Sequence, residues 1–217
     1  MTRSVSPAAR VRGTLRVPGD KSASHRALIL GALASGTSAI YGLSSGADVA
    51  ASARIVAQLG ARVTAAADHV SVHGPAHGLH ASDTPLDCEN SGTTMRLIAG
   101  VVAGIPGAHT LVGDASLSRR PMDRIAQPLR LMGASVTGHG DDVRAPIAVV
   151  GTDAPRAIDY AVPVPSAQVK SAVLLCGLGA AGHTIVHEAV RTRTTTEEML
   201  VHAGVTLHSV DDGAGRD

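Results

Sequence analysis

Gln58–Thr64 reads QLGARVT and Leu131–Thr137 reads LMGASVT, one phrase written twice with Gly60 and Gly133 73 residues apart. A looser third copy, HAGVTLH at His202–His208, places Gly204 another 71 residues on. A second landmark keeps the period: SGTSAI, PGAHTL and AGHTIV carry Gly36, Gly107 and Gly182 at spacings of 71 and 75. A third is a polar knot that opens an apolar run: DKSASHRALILGALA, ENSGTTMRLIAGVVA and PSAQVKSAVLLCGLGA, with Ser22, Ser91 and Ser166 at spacings of 69 and 75. Three landmarks with one period identify a threefold repeat of roughly 72 residues, with units over about 18–83, 84–153 and 154–217 after an N-terminal strand or crossover segment, 1–17.

Within a unit the pattern is strand, helix, strand, helix, then a strand or hairpin. The first helix of each unit is apolar nearly all round, as a helix in the middle of a domain is. The second carries one stripe, Val49, Ala53, Val56 and Leu59 in the first unit and Met122, Ile125, Leu129 and Met132 in the second, at three- and four-residue steps. Thr195 and Glu198 have capping-box spacing at a third such helix. Pro128 inside the second unit's helix should kink or crowd it. The fold class is α/β, with parallel and antiparallel pairing and three central helices packed together.

Composition narrows the function. The chain has no Phe or Trp and only Tyr41 and Tyr160, so it lacks the aromatic platforms that stack single-stranded bases. A net charge of +1 recommends neither nucleic acid nor membrane. No apolar run reaches the ~18 residues of a membrane span, and MTRSVSPAARVRGTLRV has no signal-peptide core. Cys88 and Cys176 stand alone, without metal spacing or a disulfide framework, which points to a reducing cytosol. His69, His73, His77 and His80 fall along a strand and loop without the spacing of a metal site.

The polar knots carry the chemistry. A helix start exposes unsatisfied N–H groups and the positive end of the helix dipole, so it suits an anion. Capping explains Ser22, Ser91 and Ser166 but not Lys21, Arg26, Gln168 and Lys170 beside them. Lys21 and Lys170 are the only lysines against 17 arginines, as if a compact point charge were wanted at those places. Three such starts side by side would form one cationic floor. Arg119 and Arg120, in the loop GDASLSRRPMDR, add the planar forks suited to phosphate or carboxylate.

PGDKSASHRALILGALASG, CENSGTTMRLIAG, GDASLSRRPMDRI and VPVPSAQVKSAVLLCGL together resemble, in order and over nearly the whole chain, the signature stretches of the 5-enolpyruvylshikimate-3-phosphate synthases. The resemblance implies one domain of a two-domain enolpyruvyl transferase fold, each domain built from three βαβαββ units around central helices, with the site in the cleft between them. It implies transfer of the enolpyruvyl group of phosphoenolpyruvate to the 5-hydroxyl of shikimate 3-phosphate by addition and elimination, without cofactor or metal, in the cytoplasm. Lys21 would be catalytic and lie between the substrates. Ser22, Arg26, Ser166, Ala167, Gln168, Thr192 and Arg193 would hold shikimate 3-phosphate, and Gly92, Arg120 and Gln168 phosphoenolpyruvate. The family runs to roughly twice this length, so a C-terminal half is the expected partner, and proton-transfer acids and further cations would lie on it. A non-catalytic binding half or split-enzyme partner is the alternative. The sister family acting on a UDP-amino sugar opens instead with Lys-Asn, where this chain has Lys21-Ser22. Two positions depart from the pattern: Glu89 stands where the family usually has Gly, and Thr195 where many relatives have His.

Overall fold

The computed structural model describes Ser4, residues 6–10 and residues 12–210. In chain order the first unit holds α1 (Lys21–Leu33), β1 (Gly36–Tyr41), α2 (Ala47–Gln58), β2 (Arg62–Ala65) and β3 (His69–Gly74). The second holds β4 (Leu86–Asp87), α3 (Gly92–Ala103), β5 (Gly107–Val112), α4 (Asp123–Leu131), β6 (Ser135–His139) and β7 (Arg144–Gly151). The third holds β8 (Asp159–Val162), α5 (Ala167–Gly177), β9 (Ile185–Glu188) and α6 (Thr195–His202).

The second unit alone shows βαβαββ in full. Its sheet runs β4-β5-β7-β6, with β4 parallel to β5 and the rest antiparallel. The first unit repeats the antiparallel part as β1-β3-β2, and the third repeats the parallel pair as β8-β9. Gly36 faces Gly74 across one ladder and Gly107 faces Gly151 across the other. The landmark glycines all turn left-handed, Gly36, Gly107 and Gly182 at φ +93, +115 and +96 and Gly60, Gly133 and Gly204 at +108, +106 and +89. Left-handed backbone favours glycine, which accounts for the residue type these landmarks share.

Two expected elements differ. Residues 12–20 form no strand, and Leu15 and Val17 lie exposed, because a strand needs a ladder partner and none pairs with them among the described residues. After α6, residues 205–210 form no hairpin; residues 211–217 and 1–3, 5 and 11, parts of the expected terminal segments, lie outside the described residues.

The core is aliphatic. Ten of the twelve residues of α3 are buried, which makes it the central helix, and the two left over are Thr93 and Arg96. α3 lies flat on α5, so close that a Cβ on Gly100 would sit 2.5 Å from the Ala172 carbonyl oxygen. α1 leans on α2, α3 and α6 and is tied to α5 by the Arg26 side chain rather than by a packed face. The stripe Met122, Ile125, Leu129 and Met132 is buried as the period requires, and so are Val49, Val56 and Leu59, with Ala53 partly covered. Pro128 is buried within α4, which runs through it; its missing N–H leaves the Arg124 carbonyl without its helical donor. The capping box expected at Thr195 forms differently. Thr194 is the cap residue, and its hydroxyl, not a backbone N–H, meets Glu198.

Candidate active site

The starts of α1, α3 and α5 carry the expected polar residues, and the hydrogen bonds show which of them are committed. At α1 the cap is Asp20, whose Oδ1 accepts the Ala23 N–H at 2.7 Å. Ser22 is therefore not the cap, and its hydroxyl is left to accept from Arg193 Nη1 at 3.4 Å, joining the first unit to the third. Lys21, about half exposed, pairs with Asp48 in the first turn of α2. Arg26 is buried and donates from Nε to Thr196 (2.5 Å), from Nη1 to the Ser22 carbonyl (3.0 Å) and from Nη2 to Ser171 (2.9 Å). Burial lowers its pKa, against the opposing pull of Glu197 and Asp20. Its partners are all neutral, and each Nη retains an uncommitted N–H.

At α3 the cap is Ser91, as expected, accepting the Thr94 N–H at 3.1 Å. Gly92 opens the helix beneath two guanidinium groups: a Cβ there would lie 2.8 Å from Arg96 Nη1 and 3.2 Å from Arg120 Nη1. Arg120 donates to Asn90 Oδ1 at 2.7 Å, and Asn90 donates to Asp114 at 2.6 Å. That contact, with the Leu117 and Ser116 amides, holds the Asp114 carboxyl below its usual range. Arg96 donates to Gln168 Oε1 at 3.1 Å and to the Pro121 carbonyl at 3.2 Å, while Gln168 Nε2 donates to Thr93 at 3.0 Å. Burial, and then the neighbouring Arg120 and Arg124, lower the Arg96 pKa. Among the described residues no carboxylate is in ion-pair contact with Arg96, Arg120 or Arg124. This is concentrated positive charge at a helix start, held by neutral groups.

Sequence reasoning puts the stretch from Asn90 to Arg96 on the cationic floor as a whole, but it assigns neither substrate to Asn90, Thr93 or Arg96 individually. A signal for Arg96 existed: it is the one charged residue in a helix otherwise built for burial, one turn from Gly92. Glu89 causes no electrostatic conflict, because its carboxylate turns to Arg54 of α2 at 2.5 Å. Its φ of +51 shows what a glycine would do in its place.

At α5 Ser166 caps by accepting the Val169 N–H at 3.4 Å, and Ala167 begins the helix with an N–H that no helical carbonyl can reach. Lys170 does not belong to the floor. It is buried between Glu188 and Glu197, 2.6 Å from each, so its charge is neutralised inside the domain. Thr192 likewise donates inward, to Glu188, while Arg193 beside it reaches Ser22.

Other chemistry finds little support. Burial pushes the Cys88 thiol up to about 12 and that of Cys176 to about 11, far from nucleophilic. His69 pairs with Asp68, His73 with Thr37 and His80 with the Ala81 carbonyl, and among the described residues no three ligating side chains converge on a metal position. No helix there is long and apolar enough to cross a membrane.

The family model for EPSP synthase (3-phosphoshikimate 1-carboxyvinyltransferase) matches residues 5–214. The chain is 53% identical over 198 residues to the 3-phosphoshikimate 1-carboxyvinyltransferase of Acidithiobacillus ferrooxidans, covering 90% of this chain and 45% of that protein. It is 46% identical over 202 residues to that of Lactococcus lactis, covering 93% and 47%. The EPSP synthase structure from Acinetobacter baumannii superposes with a TM-score of 0.87 at 42% identity, over 91% of this chain and 45% of that one. Spanning about half the length of the curated relatives it matches, the chain belongs to the EPSP synthase family.

Proposed function

We propose that this chain supplies one wall of an active site that transfers the enolpyruvyl group of phosphoenolpyruvate to the 5-hydroxyl of shikimate 3-phosphate. The observation that supports it most is the pair Arg96 and Arg120 over Gly92, charged, in ion-pair contact with no carboxylate among the described residues and set at a helix start. Two anionic substrates repel each other, so a preorganised cationic surface supplies both positioning and stabilisation of the charge that develops as phosphate leaves.

In this reading phosphoenolpyruvate lies over Gly92, gripped by Arg120 and within reach of Gln168. Shikimate 3-phosphate takes Ser22, Arg193, Ser166, the Ala167 amide and Gln168, with Arg26 and Thr192 bracing that surface from below. Lys21 stands between the two ligands as the catalytic cation, and leaving Asp48 for an anion is its part in binding. Proton transfer belongs to groups on a complementary C-terminal half, the partner this reading requires. The compartment that goes with this reading is the cytoplasm.

The test is calorimetry on the 217-residue chain, then phosphate release. The chain should bind shikimate 3-phosphate and, once that is bound, phosphoenolpyruvate. Arg120→Lys keeps the charge but loses the planar fork, so it should weaken phosphoenolpyruvate about tenfold, or about 1.4 kcal/mol, and leave shikimate 3-phosphate unchanged. Phosphate should be released only after the complementary half is added. Steady turnover by the chain alone, or equal loss of both ligands in Arg120→Lys, contradicts the assignment.

A further inference from the structure

A polar chain with no place in the site runs beneath it. His25, Ser52, Thr94 and Ser91 are each fully buried in an otherwise aliphatic core. His25 Nδ1 lies 2.8 Å from the Ser52 hydroxyl, which lies 2.9 Å from that of Thr94. The Thr94 hydroxyl in turn reaches Ser91 Oγ at 2.7 Å and the Asp48 carbonyl at 3.2 Å. The other ring nitrogen of His25, Nε2, is buried without a partner. Three helices are thereby tied together, α1 through His25, α2 through Ser52 and Asp48, and α3 through Thr94 and its cap.

Both ends of the chain touch the floor. Lys21 precedes His25 by four residues on α1, and Asp48 is its ion-pair partner. Ser91 immediately precedes Gly92. Apolar side chains would fill the same space without the cost of burying hydroxyls, but they would let the helices slide. Directed hydrogen bonds fix a separation.

The direction of the protons follows from the far end. Thr94 has one hydroxyl proton and gives it to the far end, where Ser91 Oγ and the Asp48 carbonyl are its acceptors, so Ser52 donates to Thr94 and Nδ1–H of His25 donates to Ser52. Nε2 then carries a bare lone pair, which is less costly to bury unpartnered than an N–H.

We propose that His25 is a positioning residue: in its Nδ1–H tautomer it orders the Ser52–Thr94 chain and so sets the distance between Lys21 and Gly92. The proposal rests on the reading above, in which those two residues flank one substrate.

Asparagine and glutamine separate the two ring nitrogens. His25→Asn puts its amide where Nδ1 stands and removes the unpartnered atom. His25→Gln puts its amide where Nε2 stands and abandons Ser52. Phosphoenolpyruvate titrated into the chain saturated with shikimate 3-phosphate should bind the Asn variant within about threefold of wild type and the Gln variant at least about tenfold more weakly. Ser52→Ala, a small deletion in the middle of the chain, should match the Gln variant and stands in for it if the Gln variant does not fold. Nitrogen-15 spectra of the unliganded chain should show His25 Nδ1 protonated and Nε2 bare. Wild-type affinity in folded Gln or Ser52→Ala variants, equal loss in Asn and Gln, or the opposite tautomer overturns the proposal. Failure of the wild-type chain to bind either ligand overturns the functional reading instead, and the tautomer measurement still stands.

Discussion

Two groups of cations lie within this domain and are treated in opposite ways. Lys170, with 6% of its side chain exposed, is held by Glu188 and Glu197, themselves 12% and 15% exposed. Arg96 and Arg120, at the start of the central helix, are held by an amide, an asparagine and carbonyls, all neutral. The first arrangement spends its charge on the fold; the second leaves it unpaired, as the proposed anion site requires. A cation's sequence neighbours do not distinguish the two, since Lys170 and Gln168 sit two residues apart on α5 and only one of them faces Arg96. What distinguishes them is whether a carboxylate arrives from elsewhere in the chain.

The comparison breaks most easily at Lys170. Lys170→Met keeps the length of the side chain but strands two carboxylates, one of which already has a buried oxygen without a partner. Removing one side of a buried ion pair costs about 3–5 kcal/mol, and denaturant unfolding should show a loss of that size. A loss below about 1 kcal/mol would mean that water reaches the cluster and that Lys170 is no more committed than a surface lysine.

The next largest effect tests a neutral group among the charges. His25 faces Lys21, Arg26 and Asp48, and burial, then Lys21, pull its pKa down to about 4 from 6.5. The folded state thus binds its proton more weakly than the unfolded state. Its contribution is complete above pH 6.5 and is lost as the pH falls toward 4, by about 3 kcal/mol in all. His25→Asn should flatten that part of the stability curve. A difference between wild type and variant that does not change from pH 7 to pH 4 would show that the imidazole is not held neutral.

How far the sequence could be read follows the same line between local and distant partners. The landmark glycines were legible because each stands where the backbone turns left-handed, and the helix starts because capping is local. Assigning the first cap to Ser22 failed by two residues: Asp20 competes for the same amides and wins, which is what frees Ser22 for Arg193. The strand before α1 failed because no segment among the described residues pairs with it. Lys170 could not be assigned, because its two carboxylates lie 18 and 27 residues onward and meet it only when β9 and α6 close over α5.

Gly92 sharpens the other side of the comparison. The atoms an alanine Cβ would meet are the ends of two flexible arginines, so Gly92→Ala should fold with stability within about 1 kcal/mol of wild type while both guanidinium groups shift aside. Because the surface they form is the proposed phosphoenolpyruvate site, affinity for that ligand should fall about tenfold. Unchanged affinity in a folded variant would place the ligand elsewhere.

Glu89→Gly is the smallest test, with two opposing terms. The left-handed backbone at φ +51 costs a glutamate about 1 kcal/mol or more that glycine does not incur. Against this, glycine loses more freedom on folding, and the exposed Arg54 pair, worth about 0.2–1 kcal/mol, disappears. The net effect should be a gain of less than about 1 kcal/mol in unfolding free energy. Because the carboxylate faces Arg54 rather than the Arg96–Arg120 surface, phosphoenolpyruvate affinity should change less than about twofold. A larger gain in affinity would show that Glu89 repels the ligand and that the two groups of cations are less separate than their hydrogen bonds make them.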